Sequence, residues 1–282
     1  MLRAYYITKC NFDYKISLKI LFRILYTCTL PLWFYVFNEK LFLISLSSLC
    51  KISYVLIHGG TYNMNFTCAD CSNRACQYAQ FDKMPSSEVC LTKQQDPEKL
   101  KAYYSPEDLE IAKFAAITEA DGYGKQCRLE EIMAFAYRMK YHKLGIAFCV
   151  GFSREAKTLV EILRTNGFEV EAACCKCGSI PKEFAGVEPE HWLHPDRDFE
   201  IMCNPAGQAE ILSEKGCDLC IVLGLCVGHD TLFIRHCKTP VTILGVKDRV
   251  MGHNPVAALY IADSYYSNRL KHFIENTFPG ES

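Results

Sequence analysis

The sequence lacks several features that would assign it to a broad functional class. Its net charge is only −1 over 282 residues, with neither a basic excess nor an acidic run. Nothing therefore points to a nucleic-acid partner or to an acidic tail. It contains neither a GxGxxG fingerprint nor a GxxxxGK[ST] loop, which argues against a dinucleotide or a nucleoside triphosphate as ligand. Internal repeats and low-complexity tracts are also missing.

A long apolar run is missing as well. A membrane-spanning helix needs about 20 mostly apolar residues. Two uncharged, mostly apolar runs are candidates: Ile24–Asn38 has 15 residues and contains a proline, and Leu41–Cys50 has 10. Joining them would place Glu39 and Lys40 inside a bilayer, which is costly. We therefore expect no membrane association, unless residues 1–63 form a weak anchor.

Residues 1–63 differ in composition from the rest of the chain. They contain one Ala, two Gly, two acids and seven Lys or Arg, so they carry +5 and the remainder carries −6. Residues with AT-rich codons dominate the segment. The codons of Gly59-Gly60 can form a purine-rich ribosome-binding site nine nucleotides before the codon of Met64. We expect residues 1–63 to be a wrongly assigned start, with a poorly conforming membrane anchor as the alternative.

What the sequence has in abundance is cysteine, with 17 residues. A secreted chain would pair them in disulfides, whereas a cytosolic chain would use them as metal ligands or reactive thiols. Disulfide frameworks are needed most by small domains that cannot bury enough apolar surface. This chain is long enough for an ordinary core, so we expect a cytoplasmic protein with reduced or metal-bound thiols.

Four cysteines lie close together in the spacing Cys68-x2-Cys71-x4-Cys76-x13-Cys90. A CxxC pair can present two thiolates to one metal ion through a tight turn, and two further cysteines can complete a tetrahedron. Four sulfur ligands suit either zinc or an iron–sulfur cluster, and the spacing does not decide between them. We expect residues 64–100 to form a metal-binding knuckle with a linker, holding zinc or a 4Fe–4S cluster.

Residues 101–282 alternate between helical and strand patterns. Ser105-Pro106 predicts the start of the first of two helices, because a capping Ser is followed by Pro and two acids. Four short apolar runs, at 144–150, 168–174, 218–223 and 240–246, predict strands, with helices at 154–165, 204–215 and 229–236. Ser153 and Asn204 are the expected caps of two of these helices. Such alternation predicts a Rossmann-like three-layer α/β fold with a parallel sheet, preceded by the knuckle and two helices.

Chemically active side chains follow the predicted strands. In parallel α/β sheets, ligands bind beyond the carboxyl ends of the strands. We expect a second site there, with Cys226, His229 and Asp230 as candidate catalytic residues. A cysteine there would act as a nucleophile activated by His229 or a lysine, or the cysteines and His229 would bind a second metal. Seven further residues are candidate cofactor or ligand contacts: Cys174, Cys175, Cys177, Lys247, Asp248, Arg249 and His253.

Two other cysteines need separate mention. Cys203 precedes a predicted helix, where the helix dipole would lower the pKa of its thiol. Cys149, at the end of the first strand, is expected to be a small core residue.

Several separate motifs resemble those of an uncharacterised family of predicted metal-binding proteins, catalogued as a domain of unknown function. The motifs are CADCSNRAC from Cys68, Cys174-Cys175-Lys176, NPxGQA from Asn204, GLCVGHD from Gly224 and KDRxxxHNP from Lys247. The resemblance covers about residues 64–265. It implies metal binding through Cys68, Cys71, Cys76 and Cys90, and it implies no particular reaction.

Two functional hypotheses follow. The first is a cytoplasmic metalloprotein with a zinc or iron–sulfur knuckle and a site for thiol or redox chemistry, or for a small-molecule ligand, at the strand ends. The second is a non-enzymatic binding or sensor module in which the knuckle is a structural zinc site.

Overall fold

The computed structural model describes residues 66–278, and the hypotheses on residues 1–63 lie outside this range. The chain divides into two compact units at Pro97/Glu98. Between residues 66 and 278, no helix combines the length and apolarity of a membrane span.

The described part of the first unit, residues 66–97, is built from turns. Three short 3-10 segments cover Cys68–Asp70, Ala75–Tyr78 and Phe81–Lys83. Its buried apolar side chains are those of Ala75 and Met84. So small a core supplies little hydrophobic stabilisation.

Helices precede the sheet of the second unit. Helix α1 covers Pro97–Lys101, α2 covers Pro106–Gly122 and α3 covers Arg128–Arg138. The predicted start of α2 is confirmed: the Ser105 hydroxyl accepts a hydrogen bond from the Asp108 N–H at 3.1 Å, and the Asp108 carboxylate accepts from the Ser105 N–H at 2.9 Å. Two terminal N–H groups are thereby satisfied.

The predicted parallel sheet is confirmed. Its strands are β1 (Lys143–Phe148), β2 (Glu169–Cys174), β3 (Leu219–Leu225) and β4 (Val241–Val246), in the spatial order β2-β1-β3-β4. All three strand pairs are parallel. Residues 144–147 of β1 and every residue of β3 are buried, as expected for central strands covered on both faces.

Three helices connect the strands: α4 (Ser153–Thr165), α5 (Pro205–Glu214) and α6 (His229–His236). From β1 the chain crosses to β2 on one side of the sheet, and from β2 it crosses back past β1 to β3 and then to β4 on the other side. Right-handed crossovers then place α4 on one face and α5 and α6 on the other, giving the predicted three layers. Three short helices follow the sheet, α7 (Ala257–Tyr260), α8 (Ser267–Lys271) and α9 (Phe273–Thr277).

The two expected helix caps have different outcomes. Asn204 is confirmed, because its side-chain oxygen accepts from the Gly207 N–H at 2.9 Å. Ser153 is wrong as a cap: α4 begins at Ser153 after Phe152, and the Ser153 hydroxyl instead donates to the Val150 carbonyl at 2.6 Å. A 3-10 turn at Val150–Phe152 takes up the residues between strand and helix.

The topology determines where a cleft opens. Strands β1 and β3 are neighbours, but the chain leaves their carboxyl ends towards helices on opposite faces of the sheet. This reversal of direction is the usual position of ligand sites in open α/β sheets. The residues that follow β1 and β3 therefore border the expected crevice.

Candidate functional site

The CxxC segment of the first unit forms a tight turn. The Cys71 N–H donates to the Cys68 carbonyl at 3.3 Å. The Asp70 carboxylate accepts from both the N–H and the hydroxyl of Thr67, at 2.9 and 2.8 Å, and these bonds lower the pKa of Asp70. The turn thus presents both cysteines from one short, hydrogen-bonded segment.

All four predicted metal ligands line one cavity. Cys68, Cys71, Cys76 and Cys90 share a space of about 60 Å³ with Met84 and a few other side chains. Between residues 66 and 278, however, no three His, Cys, Asp or Glu side chains stand in an arrangement that could hold a metal ion. The four cysteines therefore border a common space without a formed coordination group, and the metal site stays a prediction.

In the second unit, cysteines from two segments meet at the carboxyl edge of the sheet. The Sγ atoms of Cys175, immediately after β2, and Cys203, just before α5, lie 3.7 Å apart. The Asn204 N–H donates to the Cys175 carbonyl at 2.7 Å, so a backbone hydrogen bond holds the two segments together. The Val150 N–H also donates to the Cys175 Sγ at 3.3 Å.

A third cysteine joins this pair from the end of β1. The Cys175 thiol hydrogen-bonds the Cys149 sulfur, and the Lys247 ammonium lies 2.8 Å from that sulfur. On the other side of Cys175, the His229 imidazole hydrogen-bonds the Cys203 sulfur. We call these five residues, Cys149, Cys175, Cys203, His229 and Lys247, the thiol centre.

These contacts favour thiolates at the two outer sulfurs. The Cys175 thiol and the Lys247 ammonium lower the pKa of Cys149 to about 5, in opposition to burial. The Cys175 thiol and the His229 imidazole lower the pKa of Cys203 to about 4. The same hydrogen bonds and burial raise the pKa of Cys175, and the bond to Cys203 raises the pKa of His229.

A single thiol proton limits what Cys175 can do. It can donate to Cys149 or to Cys203, but not to both at once. The outer sulfur that does not receive this hydrogen bond has only its own basic neighbour to favour the thiolate. That neighbour is Lys247 for Cys149 and His229 for Cys203. The centre therefore places two sulfurs that favour the thiolate form, each beside a basic side chain, around one thiol, so that charges buried there can be compensated.

A glutamine joins the two strands that carry Cys149 and Cys175. The fully buried Gln208 of α5 donates through Nε2 to the carbonyls of Phe148, at 3.1 Å, and Ala173, at 2.6 Å. Among the described residues, its Oε1 atom has no hydrogen-bond partner. Gln208 thus fixes the ends of β1 and β2 relative to α5, which Cys203 precedes.

A packed aromatic ring lies beside Lys247. The Lys247 Nζ lies 5.0 Å from the centre of the Phe152 ring, and the His253 ring centre lies 4.5 Å from it on a tilted plane. His253 Nδ1 accepts from the Asp248 N–H at 3.1 Å. The predicted ligand contacts Lys247, Asp248 and His253 therefore form one ordered loop after β4.

The remaining predicted residues lie near this edge but outside the thiol centre. Cys226 contacts Arg249, whose guanidinium nitrogen is 3.5 Å from its sulfur. Asp230 accepts from the Thr231 N–H at 2.8 Å. Cys177 lies 3.7 Å from the Asn204 carbonyl oxygen, and burial is the main reason that its pKa is raised. Cys174 ends β2, half-buried.

The structure thus brings together a different set from the one that the sequence favoured. The His229 N–H donates to the Cys226 carbonyl at 3.0 Å, but its imidazole interacts with the Cys203 sulfur. Cys149 belongs to the core, with 7% of its surface exposed, yet it also pairs with Lys247. In the sequence, only the position of Cys149 at the end of β1 indicated that it could belong to the site. Lys247 is 98 residues away, so its contact with Cys149 could be found only from the fold.

A larger cavity borders the same edge. It has a volume of about 610 Å³ and is lined in part by Val150 and Lys176, which directly follow Cys149 and Cys175. The long connection between β2 and α5 supplies most of its wall, including His194, Arg197 and Phe199. A small molecule would find space there, beside the residues that directly follow Cys149 and Cys175.

Comparison with known proteins identifies the family. Residues 88–244 match the family described as "Protein of unknown function (DUF1847)". The uncharacterised protein MJ0455 of Methanocaldococcus jannaschii is 41% identical over 203 residues, which are 72% of this chain and 97% of that protein. The chain belongs to the DUF1847 family. The resemblance found in the sequence motifs is thereby confirmed as membership of an uncharacterised family.

Among solved structures, part of this chain matches Dph2 from Pyrococcus horikoshii. One such structure contains a 4Fe–4S cluster and another is described without it. Each match has 22% identity and a TM-score of 0.23, and covers 35% of this chain and 22% of Dph2. At that score the overlap supports no argument about this chain.

Proposed function

We propose that this DUF1847 protein is a cytoplasmic metal-binding protein whose α/β unit performs thiolate chemistry. The observation that supports the proposal is the thiol centre at the reversal point of the sheet. There, Cys175 lies between two sulfurs, each paired with its own cation. Thiolates, and not thiols, are the nucleophilic form of cysteine.

Cys203 is the proposed nucleophile. Of the two outer sulfurs, Cys149 is buried, whereas Cys203 is partly exposed. Cys203 also has the His229 partner that is typical of catalytic cysteines. His229 would hold the proton that the thiolate lacks and return it to a leaving group. Lys247 and Cys149 would set the charge of the centre without contacting the substrate.

The reactivity of Cys203 tests this proposal. Reduced protein is treated with limiting iodoacetamide at about pH 6, and the labelling rate of each cysteine is followed by peptide mass spectrometry. We expect Cys203 to be labelled at least about tenfold faster in the wild type than in His229→Gln, because the imidazolium favours the thiolate. The exposed Cys127 should react equally in both proteins. Equal labelling of Cys203 in both would contradict its proposed role.

We also propose that the four-cysteine segment binds zinc or a 4Fe–4S cluster. Two features support this: the four cysteines line one cavity, and residues 66–97 bury little apolar surface. A bound group would cross-link the turns, and a cluster would in addition supply one-electron transfer. Anaerobic purification separates the two, because a cluster gives a brown protein and zinc a colourless one.

The second candidate function is a binding or sensor module without catalysis. The cavity of about 610 Å³ beside Val150 and Lys176 favours it, because a ligand could bind there without reacting. In that case the four-cysteine segment would hold a structural zinc ion. Colourless protein with one zinc, together with an unreactive Cys203, would favour this alternative.

A further inference from the structure

We infer that Cys175 and Cys203 form a dithiol–disulfide couple that reacts with small-molecule disulfides. This inference rests on the proposed function, in which Cys203 is the nucleophile, and adds a resolving cysteine and a substrate class. Such a couple needs two sulfurs within reach of each other, a proton acceptor, and space for a disulfide substrate.

The geometry meets the first requirement. The two sulfurs are 3.7 Å apart and must close to about 2.05 Å in a disulfide. Their segments are held together by the 2.7 Å hydrogen bond between the Asn204 N–H and the Cys175 carbonyl. Cys175 is 1% exposed, so it cannot meet a substrate first, and this suits it to the second step.

The chemistry balances without another reactant. The Cys203 thiolate attacks one sulfur of the substrate disulfide, which forms a mixed disulfide and expels one substrate thiolate. Cys175 gives its proton to the Cys149 thiolate beside it. The resulting Cys175 thiolate attacks the Cys203 sulfur, which forms the Cys175–Cys203 bond and expels the second substrate thiolate. The protein dithiol loses two electrons, and the substrate disulfide gains them. The protons on His229 and on the Cys175 thiol leave with the two product thiols.

The neighbouring cavity supplies the space. Lys176, which directly follows Cys175, lines the cavity of about 610 Å³ together with Leu193 and Phe199. Lys176 also favours the Cys203 thiolate electrostatically. A small disulfide in this cavity would lie beside Lys176 and Ile201, which are one residue from Cys175 and two residues from Cys203 in the sequence.

Peptide mapping with bis(2-hydroxyethyl) disulfide tests the inference. Reduced, full-length protein is treated anaerobically with this probe at about pH 6, quenched with acid and N-ethylmaleimide, and digested with trypsin. Cleavage separates Cys149 (144–154), Cys174 and Cys175 (165–176), Cys177 (177–182) and Cys203 (198–215). We expect the peptide 165–176 to be disulfide-linked to 198–215, with two thiols released per bond.

Variants assign the two steps. In Cys175→Ser, Cys203 should retain one hydroxyethyl thiol as a stable mixed disulfide, and one thiol should be released. Cys174→Ser shares the peptide with Cys175 and is the matched control; it should still form the link. A stable mixed disulfide on Cys203 in the wild type, or a link from Cys203 to Cys149, would overturn the inference while leaving Cys203 as a nucleophile. If Cys203 forms no adduct in any protein, the proposed function fails as well.

Discussion

The Phe152 ring occupies the space that a side chain at position 224 would need, and residue 224 is a glycine. Gly224 has φ +68°, and a methyl carbon added there would lie 2.3 Å from the Phe152 ring. The glycine lies within β3 where its pairing with β4 is shifted in register, so it forms a bulge. This bulge lets the Phe152 ring pack beside Lys247 and His253.

We therefore predict that Gly224→Ala destabilises the protein by about 2–4 kcal/mol. The alanine would clash with the Phe152 ring, and its backbone would have to adopt the left-handed conformation. Gly216→Ala is the matched control, because Gly216 also has φ +68° but has no atom within 4 Å of the added carbon. It should cost about 1 kcal/mol. Denaturant unfolding measures both, and equal losses would show that Phe152 does not occupy this position.

A second prediction concerns Lys247. In Lys247→Met the ammonium beside Cys149 is lost while most of the aliphatic stem is kept. The pKa of Cys149 should rise from about 5, and the ultraviolet absorbance of thiolate at about pH 6 should decrease. Lys238→Met, which removes a lysine with a surface contact to Glu210, should leave this absorbance unchanged.

The same variant should change the dependence of stability on pH. A lowered pKa in the folded protein stabilises it most above the ordinary thiol value of about 8.5, and this stabilisation is lost as the pH falls towards the lowered value. The difference in unfolding free energy between the wild type and Lys247→Met should therefore shrink as the pH falls from about 8.5 to about 5. A difference that is constant over this range would mean that Lys247 acts only through packing.

The sequence was sufficient for the fold but only for part of the site. Strand and helix patterns are local, and Asn204 and Ser105 carry capping chemistry that can be recognised in a few residues. Ser153 followed the same pattern and was misassigned, because the 3-10 turn before α4 used its hydroxyl as a donor. A turn between two elements depends on their relative placement, which a local pattern does not contain.

Partner choice within the site was the harder problem. Cys226 and His229 are three residues apart, which made them an obvious pair in the sequence. In the fold, His229 is paired with Cys203 and Cys226 lies against Arg249. These side-chain contacts depend on strand order and helix direction. The sequence therefore predicted that the residues lie at the same edge of the sheet, but not which of them are in contact.

For the four-cysteine segment, we predict that Cys71→Ser lowers the metal content of anaerobically purified protein to a small fraction of the wild-type value. Loss of one of four ligands weakens metal binding, and with it the fold of residues 66–97, which bury few apolar side chains. Cys127→Ser is the control, because Cys127 is an exposed residue at the start of α3 and serine is a good cap. Elemental analysis provides the measurement. Unchanged metal in Cys71→Ser would remove this residue from the ligand set.

The most direct test of the thiol centre is the pH profile of Cys203 alkylation in the native, reduced protein. With its pKa lowered to about 4, Cys203 should react at a nearly constant rate between about pH 5 and pH 9. An ordinary thiol with a pKa of about 8.5 would react on the order of 100-fold more slowly at pH 6 than at pH 8. A profile of that ordinary kind would contradict the thiolate at Cys203.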